Sequence, residues 1–169
     1  MRLERITGLL GTTVYLDGEL IAENVSVSLP AVSFAEVDVQ AGAGPITVPL
    51  QALPQNLEAS VTFHGETAGF AKALNSAGKQ LEIRWAVSQL QPDQSSYIVG
   101  YKAFLQGIPR TVPALSLSPG EAASENEVTW TITRYQLVKD GENVFSIDKL
   151  AGKVEIDGTD QAAELQNLL

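Results

Sequence analysis

An alternation of apolar and polar residues with a period of two runs through most of this chain. The clearest runs lie at residues 25–29, 60–64, 81–88, 97–105 and 128–133. Successive side chains of a strand point to opposite faces, so each run predicts a strand with one buried and one polar face. The chain is therefore predicted to be mainly β.

Three Asp-Gly pairs punctuate the strands. Asp-Gly supplies the positive φ angles that a tight hairpin turn needs. We therefore expect residues 13–16 to pair with 20–22, and residues 135–138 to pair with 144–147. The pairs are Asp17-Gly18, Asp140-Gly141 and Asp157-Gly158.

The last long run changes phase near Arg134. Tyr135 and Leu137 follow Ile132 with odd spacing, so they cannot share its face in a regular strand. An extra residue on one strand of a pair produces such a shift. The sequence therefore predicts a bulge there.

Two short helices are predicted as well. Residues 67–77 place Phe70, Ala71, Leu74 and Ala77 on one side and end before Gly78. Residues 159–168 begin with two capping candidates and carry leucines on one side. The capping candidates are Thr159 and Asp160, and the leucines are Leu165, Leu168 and Leu169.

Three stretches are predicted to be loops: residues 38–54, 91–96 and 107–127. The first is rich in glycine and proline, yet Ile46, Val48 and Leu50 alternate within it. An apolar pattern inside a loop indicates an extended arm that packs on a partner. A self-packed or disordered surface loop is the alternative interpretation.

Composition narrows the function classes. The chain has 169 residues and a formal net charge of −9, with one His and no Cys. Disulfides, thiol nucleophiles and thiolate metal sites are therefore excluded. Both ends are acidic and the middle is mildly basic, since the segments 1–71, 72–139 and 140–169 carry −6, +2 and −5. Binding of a nucleic-acid backbone needs clustered cations, which this balance does not favour.

No catalytic, cofactor-binding or metal-binding motif is present. Gly42-Ala43-Gly44 is followed by Pro45 and lacks the spacing of a phosphate-binding loop. His64 lies on the polar face of a predicted strand with no nucleophile placed beside it by a motif. Trp85 and Trp130 lie on apolar strand faces, where core packing is the ordinary role of tryptophan and a sugar-stacking platform the alternative.

The C-terminal third resembles the end of the major tail tube proteins of contractile phage tails and of related contractile (R-type pyocin-like) bacteriocin particles. In that family a strand runs into Tyr-x-Leu-x-x-Asp-Gly, a short strand ends in Ile-Asp, and a Gly-x-Asp turn opens a terminal segment that commonly ends in Leu. The matching positions are Tyr135, Leu137, Asp140, Gly141, Ile147, Asp148, Gly158, Asp160 and Leu169.

The N-terminal region is similar to the same family. Residues 15–18 followed by 25–30 look like its opening hairpin and a strand that ends in Leu-Pro, residues 38–44 fall at its Gly-rich turn, and 57–65 look like its next strand. The sequence departs from the family at Ala31, where a basic residue often follows Leu-Pro. It also lacks the usual aromatic and basic residues of the Gly-rich turn.

The resemblance implies a structural protein without catalytic residues, a cofactor or a metal. Family members form hexameric rings that stack into a hollow tube, and each subunit gives strands to a continuous inner β-barrel. The implied fold is a tail-tube β-sandwich or barrel with one or two short helices. We expect one domain over residues 1–169, with an N-terminal extension at about 1–11, an inter-subunit arm at about 38–54 and a C-terminal segment at about 159–169.

Two residue sets follow from this implication. The hole of such a tube should be polar, short in side chain and weakly adhesive, so that DNA slides through without specific binding. The candidates that face it are Glu58, Ser60, Thr62, Glu82, Ser88, Thr129, Thr131 and Thr133. The candidates for contacts between subunits or rings are Asp38, Gly42, Gly44, Ile46, Val48, Leu50, Leu165, Leu168 and Leu169.

The implied partners are further copies of the chain, a tail sheath protein, a baseplate or initiator protein and a tail terminator protein. The implied location is a phage tail or an extracellular contractile particle assembled in a bacterial cytoplasm, with no stable membrane anchoring. The tube would serve as a conduit for DNA or as a membrane-puncturing device. The alternative function is a monomeric β-sandwich that binds carbohydrate through Trp85, Tyr97 or Tyr101.

Overall fold

A computed structural model describes residues 5–64, 67–114, 118–120 and 125–169. This part of the chain forms twelve strands and two short helices, which confirms the mainly β prediction. The strands are β1 (Arg5–Leu16), β2 (Glu19–Glu23), β3 (Ser26–Ser28), β4 (Phe34–Ala41), β5 (Gly44–Pro54), β6 (Leu57–Phe63), β7 (Gln80–Leu90), β8 (Ser96–Pro109), β9 (Asn126–Lys139), β10 (Glu142–Asp148), β11 (Lys153–Ile156) and β12 (Thr159–Asp160). The helices are α1 (Thr67–Leu74) and α2 (Ala163–Leu168).

Ten strands form one antiparallel sheet that branches at β9. Its main path runs β12-β11-β10-β9-β8-β7-β1-β2, and β6 with its neighbour β3 joins beside β9. Along one side β9 pairs with β8. Along its other side it pairs first with β6 through residues 126–132 and then with β10 through residues 134–139. Thus β9 connects three parts of the sheet.

The predicted bulge lies at this branch. Gln106 of β8 pairs with Arg134, whereas Gly107 pairs with Ile132, so Thr133 is the extra residue. The Thr133 hydroxyl donates a hydrogen bond to the Gln106 carbonyl, and the Thr133 carbonyl accepts one from the backbone amide of Lys149. Ile132 and Tyr135 are both buried despite their odd spacing, as the phase change requires.

All three Asp-Gly pairs form turns with positive φ at both residues, which confirms their predicted role. The φ angles are 48° and 83° at Asp17-Gly18, 49° and 82° at Asp140-Gly141, and 50° and 78° at Asp157-Gly158. These turns join β1 to β2, β9 to β10 and β11 to β12. Both predicted hairpins are present.

The core lies on one face of the ten-stranded sheet, which we call the core face; the opposite face is the outer face. The largest fully buried side chains come from seven different strands and from both branches of the sheet. They are Trp130, Phe63, Leu57, Ile83, Leu105, Ile147, Val14, Val61, Val128 and Val154. The core-face positions of β6, β7, β8 and β9 were recognisable from the period-two pattern.

Helix α1 covers one end of this core and is shorter than predicted. It ends at Leu74, and it buries Gly69 and Ala73, whereas Ala71 and Ala77 are exposed. A Cβ at Gly69 would lie 2.0 Å from the Ile21 carbonyl oxygen, so only glycine permits this approach to β2. The face of α1 that packs on the core is therefore rotated from the face that the spacing of leucine and alanine predicts.

Both predicted terminal segments contain strands. Residues 5–11 belong to β1 and pair with β7; residues 1–4 lie outside the described part. Thr159 and Asp160 form β12 rather than the first turn of a helix, and α2 begins only at Ala163. Asp160 accepts hydrogen bonds from the Val154 and Ala162 amides and so fixes the turn before α2.

Two of the three predicted loops are corrected. Residues 38–54 belong to the antiparallel hairpin of β4 and β5, which forms a sheet of its own. Residues 107–109 and 126–127 continue β8 and β9, and within the intervening loop residues 115–117 and 121–124 lie outside the described part. Residues 91–95 form the predicted polar hairpin tip between β7 and β8.

Ser76 satisfies the indole of the buried Trp130. Its hydroxyl accepts a 2.8 Å hydrogen bond from Trp130 Nε1 and donates a 2.6 Å bond to the Ala73 carbonyl. Ser76→Ala should lower the free energy of unfolding by about 1 to 3 kcal/mol, because the indole N–H would be buried without a partner. Urea denaturation checks this, with the exposed Ser95→Ala as the control. Equal effects of the two substitutions would contradict the role of Ser76.

Burial raises the pKa of Tyr135 to about 12, above its ordinary value of 10. Between these values the unfolded chain releases the phenol proton while the folded chain keeps it, so stability falls as the pH rises through this window. Between pH 9 and pH 11.5 the wild type should lose about 1 to 2 kcal/mol more than Tyr135→Phe, which lacks the titrating group. Urea denaturation at both values tests this, and equal losses would refute it.

Candidate assembly surfaces

The candidates for the hole separate into two groups on the outer face. Glu58, Ser60, Thr62, Thr129 and Thr131 lie together, because β6 and β9 bring them into register. Glu82 and Ser88 lie on β7, in another part of the sheet. Ser88 pairs with Ile98 of β8, and Thr131 pairs with Ile108 of the same strand. Ten residues of β8, or about 33 Å, therefore separate Ser88 from Thr131 along the strand direction. Thr133 occupies the bulge.

The first group belongs to a surface that we call the hydroxyl face. It consists of Ser26, Ser28, Ser60, Thr62, Thr129 and Thr131. Ser26 pairs with Thr62, and Ser28 pairs with Ser60, which in turn pairs with Thr129. The strand segments that carry it, 26–28, 57–63 and 126–132, contain no lysine or arginine. The result is a surface of short hydroxyl side chains, with Glu127 opposite Thr62 on the same face, that water can solvate.

Both acidic candidates are ion-paired within the chain. Glu58, at the margin of the hydroxyl face, pairs with Arg110, whose backbone amide also donates to the Thr129 carbonyl. Glu82 accepts a 2.6 Å hydrogen bond from Arg84 Nε. This bond raises the pKa of Arg84, and the guanidinium also lies 4.4 Å from the centre of the Tyr15 ring. Thus neither carboxylate is an isolated negative charge.

The hairpin of β4 and β5, residues 34–54, projects from the sheet; we call it the arm. Its apolar face pairs Val37 with Val48, Val39 with Ile46 and Ala35 with Leu50. Val37 and Val39 are each 43% exposed and Ile46 is 51% exposed. The largest contact of the arm with another element is a small one, with β11. A monomer therefore leaves this apolar ribbon in water.

The interface candidates of residues 38–50 all lie in the arm. Ile46, Val48 and Leu50 are on its apolar face. Asp38 is on the polar face and accepts a 2.8 Å hydrogen bond from Thr47. Gly42 and Gly44 are at the tip, where Gly44 has a φ of 130°. The backbone of the tip therefore needs glycine, whereas the valines, isoleucine and leucine form the exposed apolar surface.

The C-terminal candidates are on α2. Leu165 is half-buried, whereas Leu168 and Leu169 are 84% and 92% exposed. The side chain of Gln166 lies against Gly152 of the turn between β10 and β11, so α2 rests on that turn. Leu150 of the same turn is also exposed.

Strand β1 has an uncovered edge that the sequence pattern did not predict. Residues 5–12 pair with β7 on one side. On the other side β2 pairs with residues 13–16 and the Asn24 amide donates to the Thr12 carbonyl, so residues 5–11 have no strand beside them among the described residues. Leu9 and Leu10 stand on this part of the strand and are exposed. The two breaks in register between β1 and β7 disturb the alternation of residues 5–11, which hid the strand.

A second unpredicted feature is an open concavity of about 840 Å³ on the outer face. It crosses β1, β7 and β8 and reaches the β9–β10 turn. The residues that line it include the aliphatic and aromatic Leu10, Ala86, Ile98, Phe104, Val138, Trp85 and Tyr101 and the charged Glu23, Arg84, Lys102 and Asp140. Ile98 is 68% exposed there. The sequence signal that could have indicated this concavity is the presence of apolar residues at polar-face positions of the predicted strands.

The aromatic residues of the carbohydrate-binding alternative are engaged with each other. Trp85 and Tyr101 stack with ring centroids 5.3 Å apart and an interplanar angle of 6°. The Tyr97 hydroxyl donates a 2.7 Å hydrogen bond to the Gln89 side chain, and Trp130 is buried. Both rings of the stacked pair also line the concavity.

The described residues hold no group of three or more His, Asp or Glu side chains placed to bind a metal ion. His64 is half-exposed, and its Nδ1 lies 3.4 Å from Glu125 Oε1. Neither described helix is long and apolar enough to cross a membrane.

The family model of the phage tail tube protein FII matches residues 7–169. The chain belongs to this family. A tail tube protein is a structural component, so the chain has a structural role in a tail tube and is not an enzyme. This confirms the resemblance found in the sequence. No curated protein matches the chain.

One solved structure has the same fold. The chain is similar to one in the cryo-EM structure of the sheath-tube complex of PVC, an extracellular contractile injection system, in the extended state. The TM-score is 0.52 at 18% identity, covering 75% of this chain and 87% of that one. A chain in the sheath/tube terminator of PVC has a TM-score of 0.48 at 18% identity, covering 75% of this tail tube protein and 92% of that chain.

Proposed function

We propose that this tail tube protein closes into hexameric rings that stack into the hollow inner tube of a contractile phage tail or related injection particle. Residues 1–169 act as one tube domain. The arm and the C-terminal segment, including α2, make contacts between subunits and rings. The hydroxyl face points into the hole.

The observation that carries this proposal is the arm. An amphipathic ribbon with Val37, Val39 and Ile46 in water is unfavourable in a monomer, because burying apolar area is the dominant favourable term in association. A surface that receives the arm would be a different part of the molecule from the arm itself, so the contact between two copies would be head-to-tail. Such a head-to-tail contact generates a closed ring or an open filament, which are the two elements of a stacked tube.

The uncovered edge of β1 supports ring closure. Its residues 5–11 present a row of backbone groups beside exposed Leu9 and Leu10, with only Arg5 as a charge. A long, exposed and apolar edge pairs readily with another chain. A closed ring leaves no such edge free.

The hydroxyl face suits the hole because it is short and weakly adhesive. Proteins hold the phosphate backbone with lysine and arginine, and the strand segments of this face contain neither. The nearest cation, Arg110, is paired with Glu58. Six copies of a chain with a net charge of −9 make an anionic ring, so DNA would pass without specific binding. Glu82 and Ser88 lie outside this proposed wall.

The proposed partners are a tail sheath protein around the tube, a terminator at its end, and a baseplate or initiator protein that starts it. The sheath and the terminator are proposed because the similar solved chains belong to a sheath-tube complex and to a sheath/tube terminator of PVC. The proposed location is the virion tail or an extracellular contractile particle, after assembly in the host cytoplasm. The tube would conduct DNA or puncture a membrane.

Val39→Lys tests the role of the arm in assembly. It places a charge on the apolar face, so we expect the concentration needed for ring or tube formation to rise about tenfold or more. Gln40→Lys is the matched control, because Gln40 is the next residue, is exposed and lies on the polar face. Sedimentation and negative-stain electron microscopy across a concentration series measure the effect.

Circular dichroism should show the β fold in both variants, because the arm packs little on the rest of the chain. Equal assembly of Val39→Lys and Gln40→Lys would contradict the role of the apolar face. A wild type that stays monomeric at high concentration, with or without a sheath or initiator protein, would contradict the tube itself.

A further inference from the structure

We infer that the concavity on the outer face receives the apolar face of the arm from a second copy of the chain. This inference rests on the proposed self-assembly and adds the surface on which the arm docks. The concavity and the arm are both apolar surfaces that the described part of the fold leaves uncovered, and they lie on different parts of the molecule.

The arm does not fill the concavity of its own chain. None of the residues that line the concavity belongs to 34–54. The arm leaves the sheet between β3 and β6 and touches β11, on the opposite side of β9 from β8. The occupant must therefore come from another molecule.

The dimensions of the two surfaces agree. Neighbouring strands lie about 4.8 Å apart, so the concavity, which crosses β1, β7, β8 and the end of β9, is about 14 Å wide. The arm is a two-stranded ribbon whose eight-residue strand β4 is about 27 Å long. The two strands of the arm are about 4.8 Å apart, which is less than the width of the concavity, so the ribbon could lie along the strands that form its floor.

The chemistry of the two surfaces agrees as well. The floor of the concavity is smooth, because Gly11, Ala86 and Gly100 stand in one row across three strands. Ile98 projects beside this row and is 68% exposed. The branched side chains of Val37, Val39 and Ile46 would pack on this floor and remove both apolar surfaces from water.

The charges favour the arm over a basic segment. Arg84 and Lys102 lie directly opposite each other on β7 and β8, and like charges in that relation are unfavourable. Arg84 is bonded to Glu82, and Lys102 forms no ion pair with a described residue. The arm carries Glu36 and Asp38 and no lysine or arginine. Glu36 and Asp38 lie on the polar face of the ribbon, so the docked arm would add negative charge near the concavity without placing a carboxylate on its floor. Glu23 and Asp140 also line the concavity.

Engineered cysteines test the contact, because the chain has no cysteine of its own. Val39→Cys on the arm and Ile98→Cys in the concavity are made in separate proteins, one of which carries a size tag. The two are mixed under assembly conditions and treated with a short bismaleimide crosslinker. We expect the mixed dimer to form severalfold faster than from Gln40→Cys with Ile98→Cys, since Gln40 is on the other face of the ribbon.

Val112→Cys is the control for the acceptor, because Val112 is 77% exposed and does not line the concavity. Equal crosslinking of Val39→Cys to positions 98 and 112, or of Gln40→Cys and Val39→Cys to position 98, would overturn the inference. Tubes seen by electron microscopy without the 39–98 product would also overturn it and leave the proposed tube intact. The absence of both tubes and crosslinks from all pairs would refute the proposed function as well.

Discussion

The hydrogen-bonded ladder along β9 is the interaction on which the rest of the molecule depends. One side of this strand holds β8, and the other holds β6 and then β10, with Thr133 inserted at the change. The two branches contribute to one core, in which Phe63 and Val128 lie with Ile83 and Leu105. Because the branches share β9, their outer faces become two separate surfaces. One is the hydroxyl face and the other is the face with the concavity.

The same arrangement explains why assembly surfaces coexist with a well-packed core. The arm is an excursion of the chain between β3 and β6, so its apolar face contributes little to the fold and remains available. The β1 edge is uncovered because β2 is short. Surfaces of this kind mark sites of protein–protein contact in stable proteins. Membership of a tail tube family gives these surfaces a common purpose, since a tube subunit must contact copies of itself on several sides.

Much of the fold could be predicted from the sequence because its strongest signals are local. Features that depend on how strands pair could not be predicted in this way. Alternation located β6, β7, β8 and β9, and Asp-Gly fixed three turns, because both signals are local. The sequence pattern of the arm indicates a loop, because Gly and Pro mask its strands and both of its faces are exposed. Residues 5–11 were missed because two register breaks disturb their alternation. The eight candidates for the hole share polarity, but only the pairing of strands could separate Glu82 and Ser88 from the hydroxyl face.

The central claim is that copies of this chain surround a hole with the hydroxyl face turned inward. A cryo-EM reconstruction of the assembled wild-type protein tests it most directly. The account predicts stacked rings with a central channel, with Ser60, Thr62 and Thr129 on the channel wall. A solid filament without a channel would contradict the claim, and so would a channel lined by Arg84, Ile98 and Lys102 on the other outer surface.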